Sequence, residues 1–270
     1  MSKKKVLILG FGFTTKYFIR HFDIDFRVLT RKPEDLKKEW VWTEDFFPDV
    51  VIDTIPPVYE ENQRLMNPLY KEVLLPLYQQ KKFVYTHISS TSVYPEVSME
   101  FHEQTEIPFF SERGIKRWEL EEAVLMWFPY ALIVRSGGIY GPERNLVKSL
   151  KNQEYHLIPT ENKVVYRIHV YDLCQILIEF SYQIYDSGIE VSLFSGYQRK
   201  NVINAIEPKN EPIQKVLEFI HRTYKIEIPR RNLEPPTTQR KIISLYTKNF
   251  SFRFPDFRSG FLDVFPPSYV

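Results

Sequence analysis

The stretch that most constrains this chain runs from Lys4 to Phe18. Val6 to Leu9 reads as a buried strand, Gly10 and Gly12 as a glycine turn, and Phe13 to His21 as a helix with apolar residues at helical spacing. A hydrophobic strand feeding a glycine turn and then a helix is how α/β proteins present backbone N–H groups to a phosphate. The pattern is incomplete: the third glycine of a dinucleotide fingerprint is replaced by Thr15. Taken alone the motif is equally an ordinary strand-to-helix turn, so the remainder of the chain decides.

Strands and helices alternate from here. Strands are expected at 26–30, 49–55, 83–89 and 130–135. Helices are expected at 60–80, interrupted near Pro68 and Pro76, and at 111–128. That order predicts a doubly wound parallel sheet with helices on both faces and a ligand edge at the strand C-termini. Past residue 142 the alternation loosens, with strands expected at 164–169 and 189–194 and helices at 172–185 and 213–224. We expect one unit over 1–270, with a cofactor-binding core over about 1–142 and a small C-terminal substrate lobe over about 143–270.

Bulk properties exclude several classes. The net charge of +2, from 36 basic and 34 acidic residues, provides no polyanion-binding surface, so no nucleic-acid partner is expected. No apolar run approaches the roughly 20 residues that span a bilayer, and the N-terminal apolar run is too short for a signal peptide. The single cysteine, Cys174, allows neither an internal disulfide nor a cysteine-based metal site, and its apolar helical setting makes it a buried thiol. A cytoplasmic location and a small-molecule substrate, or no partner, are the expectations. No metal-ligand spacing occurs; His169 reads as a strand-end core histidine.

Four stretches in unbroken order resemble one family. Ser89-Ser90-Thr91-Ser92-Val93-Tyr94 follows a strand, and Arg135-Ser136-Gly137-Gly138-Ile139-Tyr140-Gly141-Pro142 is similar to the loop lying over a nicotinamide. Arg167-Ile168-His169-Val170-Tyr171-Asp172-Leu173 is similar to an Arg-Ile-His-Val-x-Asp-Leu segment, and Lys241 to Gly260 to a closing Phe-Pro-Asp-Phe-Arg-x-Gly run. Together they resemble the extended short-chain dehydrogenase/reductase family, of the NAD-dependent epimerase/dehydratase kind, and within it an atypical bacterial branch. The resemblance implies an NAD(P)-binding Rossmann-type fold with the pyrophosphate beside Gly10, Gly12, Phe13 and Thr14. Thr54 and Pro56 would line the path to the nicotinamide, with Ser89 and Gly138 also on the cofactor. Thr15 would widen the helix–sheet contact and weaken binding.

At the end of the second strand stand Thr30, Arg31 and Lys32, with no acid. A basic pair there suits a 2′-phosphate, so NADP is favoured over NAD; the alternative is two solvated side chains.

The family's proton machinery is a Ser or Thr followed by Tyr-x-x-x-Lys on the next helix. Ser90 fills the first role by spacing. Arg113 and Arg117 occupy the Tyr and Lys positions, and arginine is neither a general acid nor a base near neutrality. Tyr94 and Tyr140 are the substitutes least at odds with the pattern. Three readings stay open: an NADP-dependent oxidoreductase or epimerase on a small polar, nucleotide-sugar-like substrate, a non-catalytic NADP-binding sensor or scaffold, and a fold relic. Helices at 60–80 and 111–128 match the family's four-helix homodimer seam.

Overall fold

The computed structural model describes residues 3–30, 43, 45–55, 69–108, 111–188, 201–228 and 233–266. The strands are β1 (Lys5–Leu9), β2 (Asp25–Leu29), β3 (Val50–Asp53), β4 (Val84–Ser90), β5 (Glu100–Phe101), β6 (Leu132–Ser136), β7 (Gly138–Tyr140), β8 (Arg167–His169), β9 (Val202–Ala205) and β10 (Lys241–Ile242). The helices are α1 (Phe13–His21), α2 (Leu75–Gln80), α3 (Glu112–Trp127), α4 (Leu146–Lys151), α5 (Val170–Asp186), α6 (Ile213–Tyr224) and α7 (Phe257–Val264). The chain divides into two compact units. Unit 1 takes Met1–Tyr94, Glu106–Arg135 and Cys174–Ile203; unit 2 takes Pro95–Thr105, Ser136–Leu173 and Asn204–Val270.

Unit 1 is built on a doubly wound parallel sheet of six strands in the order β2-β1-β3-β4-β6-β9. The order reverses at β1, whose two sides pair with β2 and β3. Ligands of open α/β sheets bind at such a reversal, outside the strand C-termini. Val6, Leu7, Ile8 and Leu9 are all buried, as an inner strand covered on both faces requires. Alternate residues Leu7, Leu9, Val51, Tyr85 and Ile133 face Leu77, Tyr78, Val124 and Phe128 from α2, α3 and the end of α3. Each such side chain contributes roughly 1.5–3 kcal/mol when fully buried. α5 is tied to β4 through Thr86 and Ser181: Ser181 donates to the Leu177 carbonyl, so Thr86 donates to Ser181 across 2.6 Å. Cys174 on the same helix is buried, and burial pushes its thiol pKa up, in keeping with an inert thiol.

The helix expected at 60–80 is described from residue 69 onward. Leu69–Leu74 is a π-helical turn, and α2 follows with Pro76 in its first turn, where a missing N–H costs nothing. The winding changes from π to α at Leu74–Leu75, beside Pro76, where we expected an interruption. The strand expected at 164–169 shortens to Arg167–His169, because its partner β7 is only three residues long. The strand expected at 189–194 lies outside the described residues.

Unit 2 is held by the pairs β7–β8 and β10–β5 and by an apolar cluster from α4, α6 and α7. Two of the family-like stretches are the framework here. Asp172 accepts hydrogen bonds from the backbone N–H groups of Arg253 and Phe254 at 2.8 and 3.0 Å, and the Phe254 ring lies 4.1 Å from that of His169. Asp256 caps α7 by accepting from Ser259 N–H at 3.0 Å. Arg258 forms a bidentate pair with Glu211 at 2.6 and 2.9 Å.

Candidate functional site

In unit 1 the glycine turn sits at the reversal of strand order. Gly10 has φ +90, a conformation that L side chains rarely adopt, and a Cβ there would stand 3.1 Å from both Ile55 Cγ1 and Thr54 Oγ1. Its N–H donates to the Leu29 carbonyl at 2.8 Å, holding the turn to β2. Gly12 is the N-cap of α1, carries no capping side chain and has nothing within 4 Å of a built Cβ. The first turn of α1, with Phe13 and Thr14, carries no acidic side chain of its own. Its early N–H groups lack intrahelical acceptors and carry the positive end of the helix dipole.

Thr15 is fully buried and accommodated. Thr54 Oγ1 donates to the Leu9 carbonyl at 2.8 Å, so Thr15 Oγ1 is the donor in the 2.9 Å contact with Thr54. The β-branched residue joins α1 to the ends of β1 and β3 in place of a close glycine contact. Thr30 follows β2. Arg31, Lys32 and Pro56 lie outside the described residues.

The Ser90 side chain caps the 3-10 turn Thr91–Val93, accepting from Ser92 N–H at 3.2 Å. That bond uses an acceptor lone pair and leaves the Ser90 proton to donate elsewhere. Helix α3 comes close to this turn because residue 114 is glycine: a Cβ there would be 3.1 Å from the Val93 carbonyl oxygen. Arg113 precedes that glycine and is exposed, and Arg117, half-buried, lies one turn further on the same helix face. The Arg113-Gly114 pair is therefore a packing device, with the glycine toward the turn and the arginine toward water.

Ser89 is buried. Its hydroxyl donates to Glu121 Oε1 at 2.6 Å. Glu121 is fully buried and also receives Arg135, Nη2 to Oε2 at 2.7 Å and Nε to both oxygens at 3.1 and 3.2 Å. The remaining guanidinium fork donates to the Tyr94 hydroxyl at 2.8 Å. Burial pulls the Arg135 pKa down, but the Glu121 carboxylate and Tyr94 outweigh it and hold the guanidinium above its ordinary value. Glu121 in the sequence reads only as a helix former; the signal that could have exposed its role is an acid on the apolar side of a helix preceding a strand-end arginine.

Tyr140 and two buried histidines are likewise engaged. His87 Nδ1 lies 3.2 Å from Asp53 Oδ2, which also accepts from the hydroxyls of Tyr70 and Tyr85 at 3.1 and 2.9 Å. In unit 2, Tyr140 donates to Glu207 Oε1 at 2.5 Å, and burial and then the Glu207 carboxylate push its phenol pKa upward. Gly138 is exposed and donates its N–H to the Tyr166 carbonyl at 2.9 Å. His169 is buried, accepts from Tyr171 N–H at 3.2 Å, and burial with the Arg253 charge lowers its pKa to about 3. It stays neutral at physiological pH.

Glu207 has a consequence for stability. Burial raises its pKa to about 8, against the Tyr140 hydrogen bond and the Arg167 charge. Between its unfolded value near 4.5 and about 8 the folded state keeps a proton that the unfolded chain loses, so stability falls as pH rises through that window. Glu207→Gln is expected to flatten this part of the stability–pH profile in urea melts; an unchanged slope would show that Glu207 does not titrate there.

No protein-family model matches the chain, and no curated protein sequence does. Solved structures match over its whole length. A protein from Methylobacillus flagellatus, provisionally described as an NAD-dependent epimerase/dehydratase, is 18% identical over 100% of both chains with a TM-score of 0.70. UDP-N-acetylglucosamine 4-epimerase from Methanobrevibacter ruminantium M1, in complex with UDP-N-acetylmuramic acid, is 14% identical over 98% of this chain and 97% of its own, with a TM-score of 0.68. RMD from Pseudomonas aeruginosa, complexed with NADPH, is 15% identical over 89% of each chain with a TM-score of 0.58. At these identities the likeness defines the fold alone: this chain shares the Rossmann-type fold of these structures. Among the described residues no helix is long and apolar enough to cross a membrane.

Proposed function

We propose that this chain binds a nicotinamide dinucleotide at the β1–α1 turn and works as an oxidoreductase or epimerase of the NAD(P)-dependent epimerase/dehydratase type. The observation that carries the reading is the turn itself: positive-φ Gly10 and uncapped Gly12 at the reversal of strand order, with no described atom within 4 Å of a Cβ built on Gly12. A buried, hydrogen-bonded Thr15 is compatible with it. When bound, the dinucleotide supplies a hydride donor or acceptor at its nicotinamide.

The chain's own residues would then do the following. The N–H groups from Gly12 to Thr14 receive the pyrophosphate, with Thr54 fixing the neighbouring strand end. Ser90 donates its spare proton to a substrate oxygen. Arg113 and Arg117 supply positive charge, and neither moves a proton near neutrality. Arg31 and Lys32 favour NADP through the 2′-phosphate, with Thr30 beside them. A small polar substrate, nucleotide-sugar-like, fits the fold relatives. A homodimer through α3 belongs to the same proposal, since Ile115 and Met126 are exposed at 41% and 71% and lie three turns apart on one face.

One observation favours a second reading, a cofactor-binding sensor or scaffold. Tyr94, Tyr140 and His87 are all engaged in buried networks, so none of these three stands in for the family tyrosine. Turnover separates the two. Oxidation of NADPH with carbonyl and sugar-nucleotide substrates is expected, with a loss of at least about 100-fold in Ser90→Ala, the lower end for removing one positioned proton donor. Tight cofactor binding without turnover on any of them would establish the second reading. Arg31→Asp is expected to shift preference from NADPH toward NADH; equal loss of both would remove the 2′-phosphate role.

A further inference from the structure

Unit 2 contains a cavity of about 610 Å³, whose lining takes in Gly138, Ile139 and Tyr140 of the nicotinamide-loop-like stretch. That is the size of a small-molecule site. Its wall includes Ile139, Val165 and Ile213 on the apolar side and Lys148, Asn152 and Arg167 on the polar side. Arg167 is the unusual member. It is only 7% exposed, yet its guanidinium makes no hydrogen bond or ion pair among the described residues.

A guanidinium carries five N–H donors, and burying it without an acceptor is costly unless a partner arrives. The Phe257 and Phe261 rings lie 5.7 Å from its centre, which supports the cation but satisfies no N–H group. The nearest carboxylate does not supply the acceptor either. Glu207 takes the Tyr140 proton on Oε1, leaves Oε2 without any partner, and forms no ion pair with Arg167. Glu143, exposed, and Glu154, half-buried, also line the cavity, and neither forms an ion pair with Arg167.

We propose that this cavity binds a small molecule bearing one acidic group, a carboxylate or a phosphate monoester. The acid docks on Arg167 and the apolar body lies against Ile139, Val165 and Ile213. Arg167 presents a planar fork suited to either oxyanion, and its seclusion from water strengthens the contact. Lys148, exposed on α4, adds a second positive charge at the mouth. All the lining residues belong to unit 2, and a titration without nucleotide reads this site apart from dinucleotide binding.

Calorimetric titration of the full chain, without nucleotide, tests it with phenylacetate and phenyl phosphate against the neutral phenylacetamide. Saturable binding of at least one acid, about 10-fold to 100-fold tighter than the amide, is expected from a charge-assisted hydrogen bond. Which acid binds more tightly names the natural group. Arg167→Gln is expected to abolish the preference for acid over amide. Should that variant fail to fold, Ser149→Trp on α4 fills the cavity and is expected to block both acids in a protein that still melts cooperatively. Gly10→Val is expected to leave this binding unchanged. Absence of binding by both acids, equal affinity for acid and amide, or undiminished binding in folded Ser149→Trp would overturn the proposal.

Discussion

Glu121→Ala is expected to lower the unfolding free energy by about 3–5 kcal/mol, the usual loss when one partner of a buried ion pair is removed. Arg135 would keep its charge, only 2% exposed, facing the gap where two carboxylate oxygens received three of its hydrogen bonds. Ser89 would lose its acceptor in the same step. The remaining contacts of the guanidinium, the Tyr94 hydroxyl and ring, do not neutralise it. Glu121→Gln keeps the shape and one acceptor and should fall between. Urea denaturation followed by circular dichroism reads both variants. A loss under about 1 kcal/mol for the alanine variant would mean that water or backbone movement replaces the carboxylate.

The adjacent glycines Gly137 and Gly138 should respond very unequally to alanine. A Cβ on Gly137 would stand 2.8 Å from Arg167 N and 2.9 Å from Arg167 Cα and the Tyr166 carbonyl carbon, all backbone atoms. The Gly137 N–H is also held by the Ala205 carbonyl at 2.9 Å, so the strand cannot simply move aside. We expect Gly137→Ala to cost about 3 kcal/mol, the upper part of the range for overpacking. A Cβ on Gly138 would meet only the Tyr166 carbonyl oxygen at 3.6 Å, an ordinary contact. Gly138→Ala should therefore stay within about 0.5 kcal/mol, as surface substitutions do. Thermal melts of the two variants side by side make the comparison. Equal effects would show that the β7–β8 approach is not what demands glycine.

The parallel sheet was legible because its inner strands are short apolar runs ended by glycine, proline or polar residues. Val6–Leu9 and Val50–Ile52 could not be mistaken once helices alternated with them. β9 was not anticipated: Val202–Ala205 contains Asn204 and follows no turn signal, and its strand character comes from pairing beside β6. β5 and β10, two residues each, exist only through each other and carry no period to read. Boundaries moved where a cap decided them, as at Ser111, which accepts from Gly114 N–H at 3.1 Å and starts α3 one residue later than expected.

The site was legible in part. Gly10 and Gly12 announce a turn by residue type alone, since positive φ and an open N-cap suit glycine. The roles of Ser89, Tyr94 and Tyr140 were not readable, because each is set by a partner distant in sequence: Glu121, Arg135 and Glu207. Much of the family-like sequence proves to be framework. Asp172, His169 and the run from Phe254 to Gly260 pack and cap unit 2, and Gly260 is required where the Tyr140 hydroxyl would lie 2.0 Å from a Cβ. A motif held for packing persists whether or not the chemistry does, which is why shared motifs alone do not separate an enzyme from a sensor.

The central claim is that the β1–α1 turn holds a nicotinamide dinucleotide. Titrating the full chain against NADPH and NADH by cofactor fluorescence tests it most directly, with Gly10→Val as the control. That variant places a β-branched side chain at φ +90 and against Thr54 and Ile55, and circular dichroism reports whether it still folds. Saturable binding of NADPH, tighter than of NADH and lost in a folded Gly10→Val protein, is the predicted result. No fluorescence change with either nucleotide at high protein concentration would contradict the account.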